Sequence, residues 1–301
     1  MRMRGTALGV LGCCFGACGG DGLSREGSVR VELRAEQTVV DGLRQGDGSG
    51  QVADYAVRYD KYIVAVGDLF LARGERERHD EQVFLVDLKR VGSEGVELSQ
   101  LDNLASGQWS EFSYATPVAS SSAARLAGVS EQDAARMAEE GWTYWIEGVV
   151  ERSEAEGGPV RFVIQVDAPT RYTECGLNGE LGLSVVEGQT TSAIVSLHGD
   201  HLWFTGFNLG SEASIERRAG YLVALDEDGD GAVSTQDLAR ADALEFLAGY
   251  DFAGAPGGTE RPIDSVLDYV RAQLSTQGHF MGEGECLWQV GDAVGGHDHD
   301  P

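Results

Sequence analysis

Basic residues are scarce in this sequence. Only 23 of its 301 residues are Lys or Arg, against 49 Asp or Glu, so the formal net charge is −26. A surface this acidic repels nucleic acids and anionic lipid headgroups, so we expect neither as a partner. Proline is also scarce, at 6 residues, whereas glycine is abundant, at 42. Frequent glycine turns with little proline favour many short strands over long helices.

Long apolar runs are missing as well, and the run at residues 6–15 is too short to cross a bilayer as a helix. It follows Arg2 and Arg4 and ends at Phe15-Gly-Ala-Cys18, which resembles a bacterial lipobox. The resemblance implies that residues 1–18 are a lipoprotein signal peptide and that Cys18 carries a lipid. That lipid would anchor the chain to a membrane of the cell envelope, in the periplasm or on the outer surface. Val10-Leu-Gly-Cys13 is a second candidate for the lipobox. An ordinary secretory signal and a cytosolic N-terminus with chance cysteines are the alternatives.

Cysteines are few in the part of the chain expected to fold. Cys13, Cys14 and Cys18 lie in the signal region, which leaves only Cys175 and Cys286. In an oxidising compartment two such cysteines predict one disulfide. Chain entropy gives a bridge over so long a loop a stabilising effect of about 4–5 kcal/mol. Two separate buried thiols are the alternative.

The segment at residues 226–237 has the spacing of a calcium loop. Oxygen donors stand at positions 1, 3, 5, 7, 9 and 12, with a backbone carbonyl at position 7; they are Asp226, Asp228, Asp230, Ala232, Ser234 and Asp237. Gly231 stands at the sixth position, where the loop must turn sharply, and Val233 at the eighth would tie the loop to the core. Calcium prefers six to eight oxygen ligands on a flexible frame.

This segment resembles an EF-hand loop, which implies flanking helices, here at residues 211–225 and 235–247. The family usually has Glu where Asp237 stands, so weaker calcium binding is expected. We find no second loop of this kind in the sequence, and a solitary EF-hand loop is more often structural or a buffer than a sensor. An acidic glycine-rich turn that binds no ion is the alternative.

Histidines supply a second candidate site. His198-Gly-Asp200-His201 is compact and follows an apolar strand, and His279 lies near Cys286, which a disulfide would draw toward the same region. Imidazole and carboxylate are common ligands of zinc and copper. In an extended strand His198 and His201 would face opposite sides, so a turn is required for them to converge. Histidines that are merely hydrogen-bonded at a strand end are the alternative.

Short alternating segments predict a mainly β protein. In residues 55–71, for example, Tyr55, Val57 and Tyr59 alternate with mostly polar neighbours, and a run rich in β-branched and aromatic residues follows. We expect an α+β chain, with an antiparallel β-sandwich and a C-terminal helix-loop-helix. The expected divisions are a signal peptide (1–18), a flexible tether (19–52), a sandwich with a short helical insertion (53–209), an EF-hand-like helical segment packed on it (210–294) and a His/Asp tail (295–301).

Boundary signals place two helices and one further short strand. Ser130 precedes Asp133 by three residues, much as in a capping box, and Gly141 ends that helix. Asp264 is expected to cap a helix at residues 265–274. Residues 37–40 are expected to be a short strand.

Signatures of catalysis are absent: no Ser lies in a nucleophile elbow, and no phosphate-binding glycine loop follows a strand. The order of a β-rich half, the stretch Gly141-Trp142-Thr-Tyr144-Trp145 and a second β-rich half is similar to periplasmic copper-binding proteins that partner di-haem peroxidases. The similarity spans about residues 53–204 and implies that Trp142 or Trp145 lies near a metal. That family's further cysteines are missing here, and it has no EF-hand loop.

These observations predict a non-enzymatic, exported, lipid-anchored protein with Ca²⁺ in a structural loop. The alternative is a periplasmic copper or zinc protein that uses His198, Asp200, His201 and His279. A hydrolase with structural calcium ranks third. The sequence indicates no particular protein partner.

Overall fold

The computed structural model describes residues 26–46, 51–91, 94–126, 128–207 and 214–291. The expected signal peptide with Cys18, the first residues of the expected tether (19–25) and the His/Asp tail (295–301) lie outside these ranges. The described residues form a mainly β fold with several sheets and few helices, as the sequence predicts. In these ranges no helix has the length and apolar character needed to cross a membrane.

Most strands are short, and one is much longer than the rest. In chain order they are β1 (Glu26–Ala35), β2 (Arg44–Gln45), β3 (Gln51–Val52), β4 (Val57–Arg73), β5 (Arg76–Asp87), β6 (Val96–Ala105), β7 (Gly107–Trp109), β8 (Glu111–Thr116), β9 (Ala124–Arg125), β10 (Tyr144–Val150), β11 (Val160–Val166), β12 (Thr170–Thr173), β13 (Gly176–Leu177), β14 (Glu180–Leu181), β15 (Leu183–Val185), β16 (Thr190–Leu197), β17 (Ala232–Ser234), β18 (Gly278–Phe280) and β19 (Leu287–Val290). The helices are α1 (Gln37–Asp41), α2 (Leu88–Val91), α3 (Glu131–Glu140), α4 (Gly220–Leu225), α5 (Thr235–Arg240), α6 (Ala243–Phe246) and α7 (Val266–Leu274).

The larger sheet is built around β4. Its order is β17-β11-β10-β4-β8-β12-β19, with β5 also paired to β4 and β9 paired to β5. β4 is 17 residues long and pairs with β10 in its first half and with β5 and β8 in its second. β-Branched and aromatic residues dominate the middle of β4, which suits a strand buried between neighbours.

The smaller sheet has β1 near its centre, in the order β18-β16-β1-β6. Val29, Val31 and Leu33 of β1 alternate with more exposed residues and are fully buried. Each such side chain contributes about 1.5–3 kcal/mol on burial. The sequence prediction of a flexible tether at residues 19–52 is wrong for the described residues of that range. They include β1, which is a strand of the core.

One hydrophobic core contains side chains from both the larger and the smaller sheet. It contains Val29 and Val31 of β1 together with Tyr59, Tyr62 and Val64 of β4. A second, smaller cluster lies under α3, around Met137 and Trp145.

Strand direction differs in part from the antiparallel expectation. Within the ranges described above, ten of the strand pairs are antiparallel, but β1–β16, β11–β17, β2–β3 and β5–β9 are parallel. Alternation of buried and exposed residues is the same for either direction, so the sequence pattern cannot distinguish them.

The C-terminal segment is woven into both sheets and is not confined to a helical unit. β17 pairs with β11, β18 with β16 and β19 with β12. The expected helix at 211–225 is helical over α4, and residues 214–219 are not part of it. The expected helix at 235–247 is broken into α5 and α6, because Asp242 caps α6 by accepting a hydrogen bond from the backbone N–H of Glu245.

The predicted boundaries of two other helices are close to those observed. The Ser130 hydroxyl accepts a hydrogen bond from the backbone N–H of Asp133, and Gly141 ends α3 in a left-handed conformation with φ of 69°. α7 is capped by Ser265, not by Asp264 as predicted. Residues 37–40 lie in α1, so the strand predicted there is wrong.

Cys175 and Cys286 lie at disulfide distance, with their sulfurs 2.08 Å apart. They are 111 residues apart in sequence. The pair fastens the end of β12 to the chain between β18 and β19, and so links the larger sheet to the segment that carries His279.

Candidate metal centres

His198 and His201 are brought together by a turn at the end of β16. His198 directly follows β16, and the next residues form the 3₁₀ turn Gly199–Trp203. An extended strand would point the two histidines to opposite sides, and this turn lets them converge, as expected from the sequence. Gly199 permits close packing, because a Cβ atom there would lie only 2.6 Å from Cγ2 of Val39.

His279 and Glu36 are brought close to His198 by the two strands that pair with β16. His279 lies in β18, which pairs with the end of β16. β1 and β16 are parallel and in register up to Ala35 and Leu197. The next residues, Glu36 and His198, therefore leave the sheet side by side at one edge.

The three histidines form a compact, buried cluster. Their exposed fractions are 6% for His198, 1% for His201 and 2% for His279. One ring nitrogen from each lies within 4.8 Å of the others. Nε2 of His201 is 3.4 Å from Nε2 of His279, and the rings of His198 and His279 stack with centroids 3.8 Å apart. This arrangement can present several nitrogen ligands to one ion.

Hydrogen bonds assign the proton on two of these rings in their neutral form. Nδ1 of His201 is 2.8 Å from Oγ1 of Thr276, and that hydroxyl donates its own hydrogen to the carbonyl of Gln273. The hydroxyl must then accept from Nδ1–H, which leaves the lone pair of His201 on Nε2. His198 donates from Nε2 to the carbonyl of Gly282 at 3.2 Å, so its lone pair is on Nδ1.

Two carboxylates flank His198. Glu36 and Asp200 each offer an oxygen, and together with a nitrogen of His198 these atoms lie within 4.8 Å of one another. Asp200 is 4% exposed, and its Oδ2 accepts from Nε and Nη2 of Arg217, both at 2.7 Å.

The other oxygen of Asp200 differs from Oδ2. Oδ1 is buried and has no hydrogen-bond partner within the described ranges. A buried polar atom without a partner costs about 1–3 kcal/mol, and more when charged. A cation at this position would remove that cost, which makes Asp200 the strongest single pointer to a bound ion.

Negative charge is poorly compensated around Glu36. Burial, and after it the charge of Asp200, raise the pKa of the Glu36 carboxyl to about 7, although a hydrogen bond from Oγ1 of Thr38 opposes the shift. Uptake of a cation would favour the charged form of this group.

The first half of the acidic loop forms a second candidate centre. Carboxylate oxygens of Asp226, Asp228 and Asp230 lie within 4.8 Å of one another. Gly231 has φ of 76°, a conformation that favours glycine, and its N–H donates to Oδ1 of Asp226 at 3.0 Å. Nη2 of Arg152 is 4.0 Å from Oδ2 of Asp226 and partly offsets the charge of the three aspartates.

The second half of the loop is fixed to the sheet and to a helix. Val233 of β17 is 2% exposed and pairs with Phe162 of β11, which is the tie to the core that its position predicts. Ser234 and Asp237 form the capping box of α5, in which the N–H and hydroxyl of Ser234 donate to Oδ2 of Asp237 at 2.8 and 2.6 Å. These hydrogen bonds lower the pKa of Asp237. Asp237 is outside the group formed by the first three aspartates of the loop.

The tryptophans suggested by the copper-protein resemblance pack elsewhere. Trp145 lies in the smaller core cluster and Trp142 packs against that cluster, and Nζ of Lys61 is 3.9 Å from the centroid of the Trp145 ring. Tyr144, the residue before Trp145 in β10, belongs to the main core. Neither tryptophan is among the residues that flank the histidines.

Sequence analysis missed three residues of the histidine centre: Glu36, Arg217 and Thr276. Glu36 had a usable signal in the sequence, because it directly follows the apolar alternation of β1. It therefore stands at the end of a buried strand, as His198 does. Arg217 and Thr276 had none, since only the fold brings them to Asp200 and His201.

No protein-family model, curated protein or solved structure matches this chain.

Proposed function

We propose that this chain is an exported metal-binding protein that holds a zinc or copper ion at the buried histidine centre. His198, His201 and His279 would supply nitrogen ligands and Asp200 an oxygen ligand. The observation that carries the proposal is the buried Oδ1 of Asp200, which lacks a partner within the described ranges beside a cluster of three histidines.

The distance between His201 and His279 supports an ion. Two nitrogens at about 2.0–2.1 Å from a tetrahedral zinc stand about 3.3–3.4 Å apart. Nε2 of His201 and Nε2 of His279 are 3.4 Å apart, which matches that spacing. The stacked rings of His198 and His279 lie in nearly parallel planes, at 15° to one another. One ring must therefore rotate before both lone pairs can point at a single ion.

Burial of the ligands favours storage, transport or structural support over catalysis. The histidines are at most 6% exposed. A catalytic zinc or copper site keeps one position open to substrate, whereas a closed site does not. We therefore infer a non-enzymatic role. The resemblance of Phe15-Gly-Ala-Cys18 to a lipobox supports a place in the cell envelope with lipid at Cys18 as the anchor, and the Cys175–Cys286 pair is consistent with export.

We also propose that Ca²⁺ binds the loop at residues 226–237 as a structural ion. Convergence of Asp226, Asp228 and Asp230, together with the φ of Gly231, supports this. β17 joins the loop to β11, so calcium would hold α4 and α5 against the larger sheet. In the same way, the common core of the two large sheets supports a sandwich arrangement for them.

Elemental analysis of the purified protein tests the main proposal. We expect about one zinc or copper ion per chain, lost in a His201→Gln, His279→Gln variant that remains folded by circular dichroism. The matched control is His297→Gln, His299→Gln, which removes two histidines from the tail and should keep the ion. Absence of zinc and copper from the parent after incubation with either metal would refute the proposal. Loss of the ion only in the tail variant would place the site in the tail.

A further inference from the structure

Glu36 occupies a position in the histidine centre that its local structure does not explain. It stands at the N-cap of α1, yet its side chain accepts no capping hydrogen bond from that helix. Nor does an ion pair join it to any Arg or Lys in the part of the chain described. One of its oxygens, Oε2, accepts a hydrogen bond from the hydroxyl of Thr38.

The two carboxylates of the centre differ in how their charge is balanced. Asp200 is neutralised by Arg217, whose Nε and Nη2 both reach Oδ2. Among the described residues, Glu36 accepts a hydrogen bond from the Thr38 hydroxyl, a neutral donor, and the charge of a protonated His279 would favour its ionised form. When Glu36 is ionised, the centre carries one carboxylate charge beyond the one that Arg217 offsets. Burying such a charge is unfavourable unless a cation or several donors compensate it.

Position also favours Glu36 as a ligand. An oxygen of Glu36 lies within 4.8 Å both of His198 and of Asp200. The hydrogen bond from Thr38 to Oε2 restricts the orientation of the carboxylate. Held ligands of this kind, with one atom hydrogen-bonded and the other bound to metal, are common in protein metal sites.

We propose that Glu36 is a second oxygen ligand of the ion at the histidine centre, and that the centre therefore selects a divalent ion over Cu(I). This inference rests on the proposed function. Three imidazoles with two carboxylates form a nitrogen- and oxygen-rich, anionic donor set, which suits Zn²⁺ and Cu²⁺. Cu(I) prefers soft sulfur ligands and gains less from carboxylates.

Glu36→Gln tests the role of the carboxylate with little change in shape. We expect its affinity for Zn²⁺ and Co²⁺ to fall by at least about tenfold, because a charged ligand is replaced by a neutral amide. Affinity for Cu(I), measured with a chromophoric Cu(I) chelator, should change much less. The visible absorption of the Co²⁺ protein should also change, since it reports ligand number and type.

Glu283→Gln is the matched control. Glu283 is exposed, and its charge acts on Glu36 through space, but it is outside the two ligand groups. Equal, modest losses of Zn²⁺ affinity in both variants with an unchanged Co²⁺ spectrum would overturn the inference and leave only a long-range charge effect. Glu36→Asp keeps the charge but shortens its reach, so it should also weaken Zn²⁺ binding; full affinity there would equally count against a direct bond.

Failure of this inference is distinguishable from failure of the proposed function. If the parent binds Zn²⁺ and the His201→Gln, His279→Gln variant does not, the centre exists and only the part played by Glu36 is in question. If the parent and the histidine variant behave alike, the centre itself is wrong and the inference falls with it.

Discussion

Replacing Arg217 by Met should destabilise the metal-free protein strongly. The side chains of Arg217 and Asp200 are only 3% and 6% exposed, and two nitrogens of the guanidinium lie 2.7 Å from one carboxylate oxygen. The guanidinium also lies 4.5 Å from the ring centroid of Phe204. Removing one partner of a buried ion pair costs about 3–5 kcal/mol, because the remaining charge is left uncompensated. Met keeps most of the apolar volume, so little of this loss should come from a cavity.

Equilibrium unfolding in urea, with a chelator present, measures this loss as a change in the free energy of unfolding. Arg218→Met is the matched control: Arg218 pairs with Glu216, but both side chains are more than 40% exposed. Such surface pairs contribute about 0–1 kcal/mol. The control should therefore unfold close to the parent.

Two further results distinguish the charge effect from a packing effect. Asp200→Asn combined with Arg217→Met should recover much of the stability, because no uncompensated charge then remains. Saturating Zn²⁺ should shrink the loss in the single variant, because the ion replaces Arg217 as counter-charge to Asp200. A loss below about 1 kcal/mol, or additive effects in the double variant, would refute the buried pair as described.

Three further predictions concern the two centres. Thr276→Val removes the acceptor that orients His201 and should weaken Zn²⁺ binding by about 10–100-fold in a chelator competition; unchanged affinity would contradict the assigned proton position. At 100 times its dissociation constant, calcium should stabilise the parent by about 2.7 kcal/mol in thermal unfolding, but not an Asp228→Ala, Asp230→Ala variant. A calcium response in that variant would exclude the loop as the calcium site. Gly278→Ala would place a Cβ atom 2.3 Å from a buried tyrosine ring. It should cost about 1–3 kcal/mol or more in urea unfolding and lower Zn²⁺ affinity, since β18 must shift; a neutral effect would contradict this packing.

Local signals predicted the parts of the structure that depend on neighbours in sequence. The start of α3 follows from Ser130 and Asp133, and its end from Gly141, because caps act over one turn. The sharp turn at Gly231 and the burial of Val233 follow from loop spacing. Alternation likewise predicted the strand character of residues 55–71, most of which lie in β4.

Features set by contacts distant in sequence were missed. Glu36 was assigned to a tether because the flanking Gly, Asp, Arg and Glu residues favour flexible chain. Its actual neighbours, His198 and Asp200, are more than 160 residues away in sequence. The histidine cluster was partly predicted, since His198, Asp200 and His201 are close in sequence. The inclusion of His279 depended on an expected disulfide, and Arg217 could not be inferred without the fold.

The pairing of β1 with β16 affects when this protein can fold. β1 ends at Ala35, and its parallel partner spans Thr190–Leu197, so the pairing closes only after most of the chain has been synthesised. Until then one hydrogen-bonding edge of β1 stays open, which invites pairing with other chains. Contacts this distant in sequence also slow folding. Chains interrupted before residue 190 should therefore aggregate, whereas chains released at full length can bury that edge.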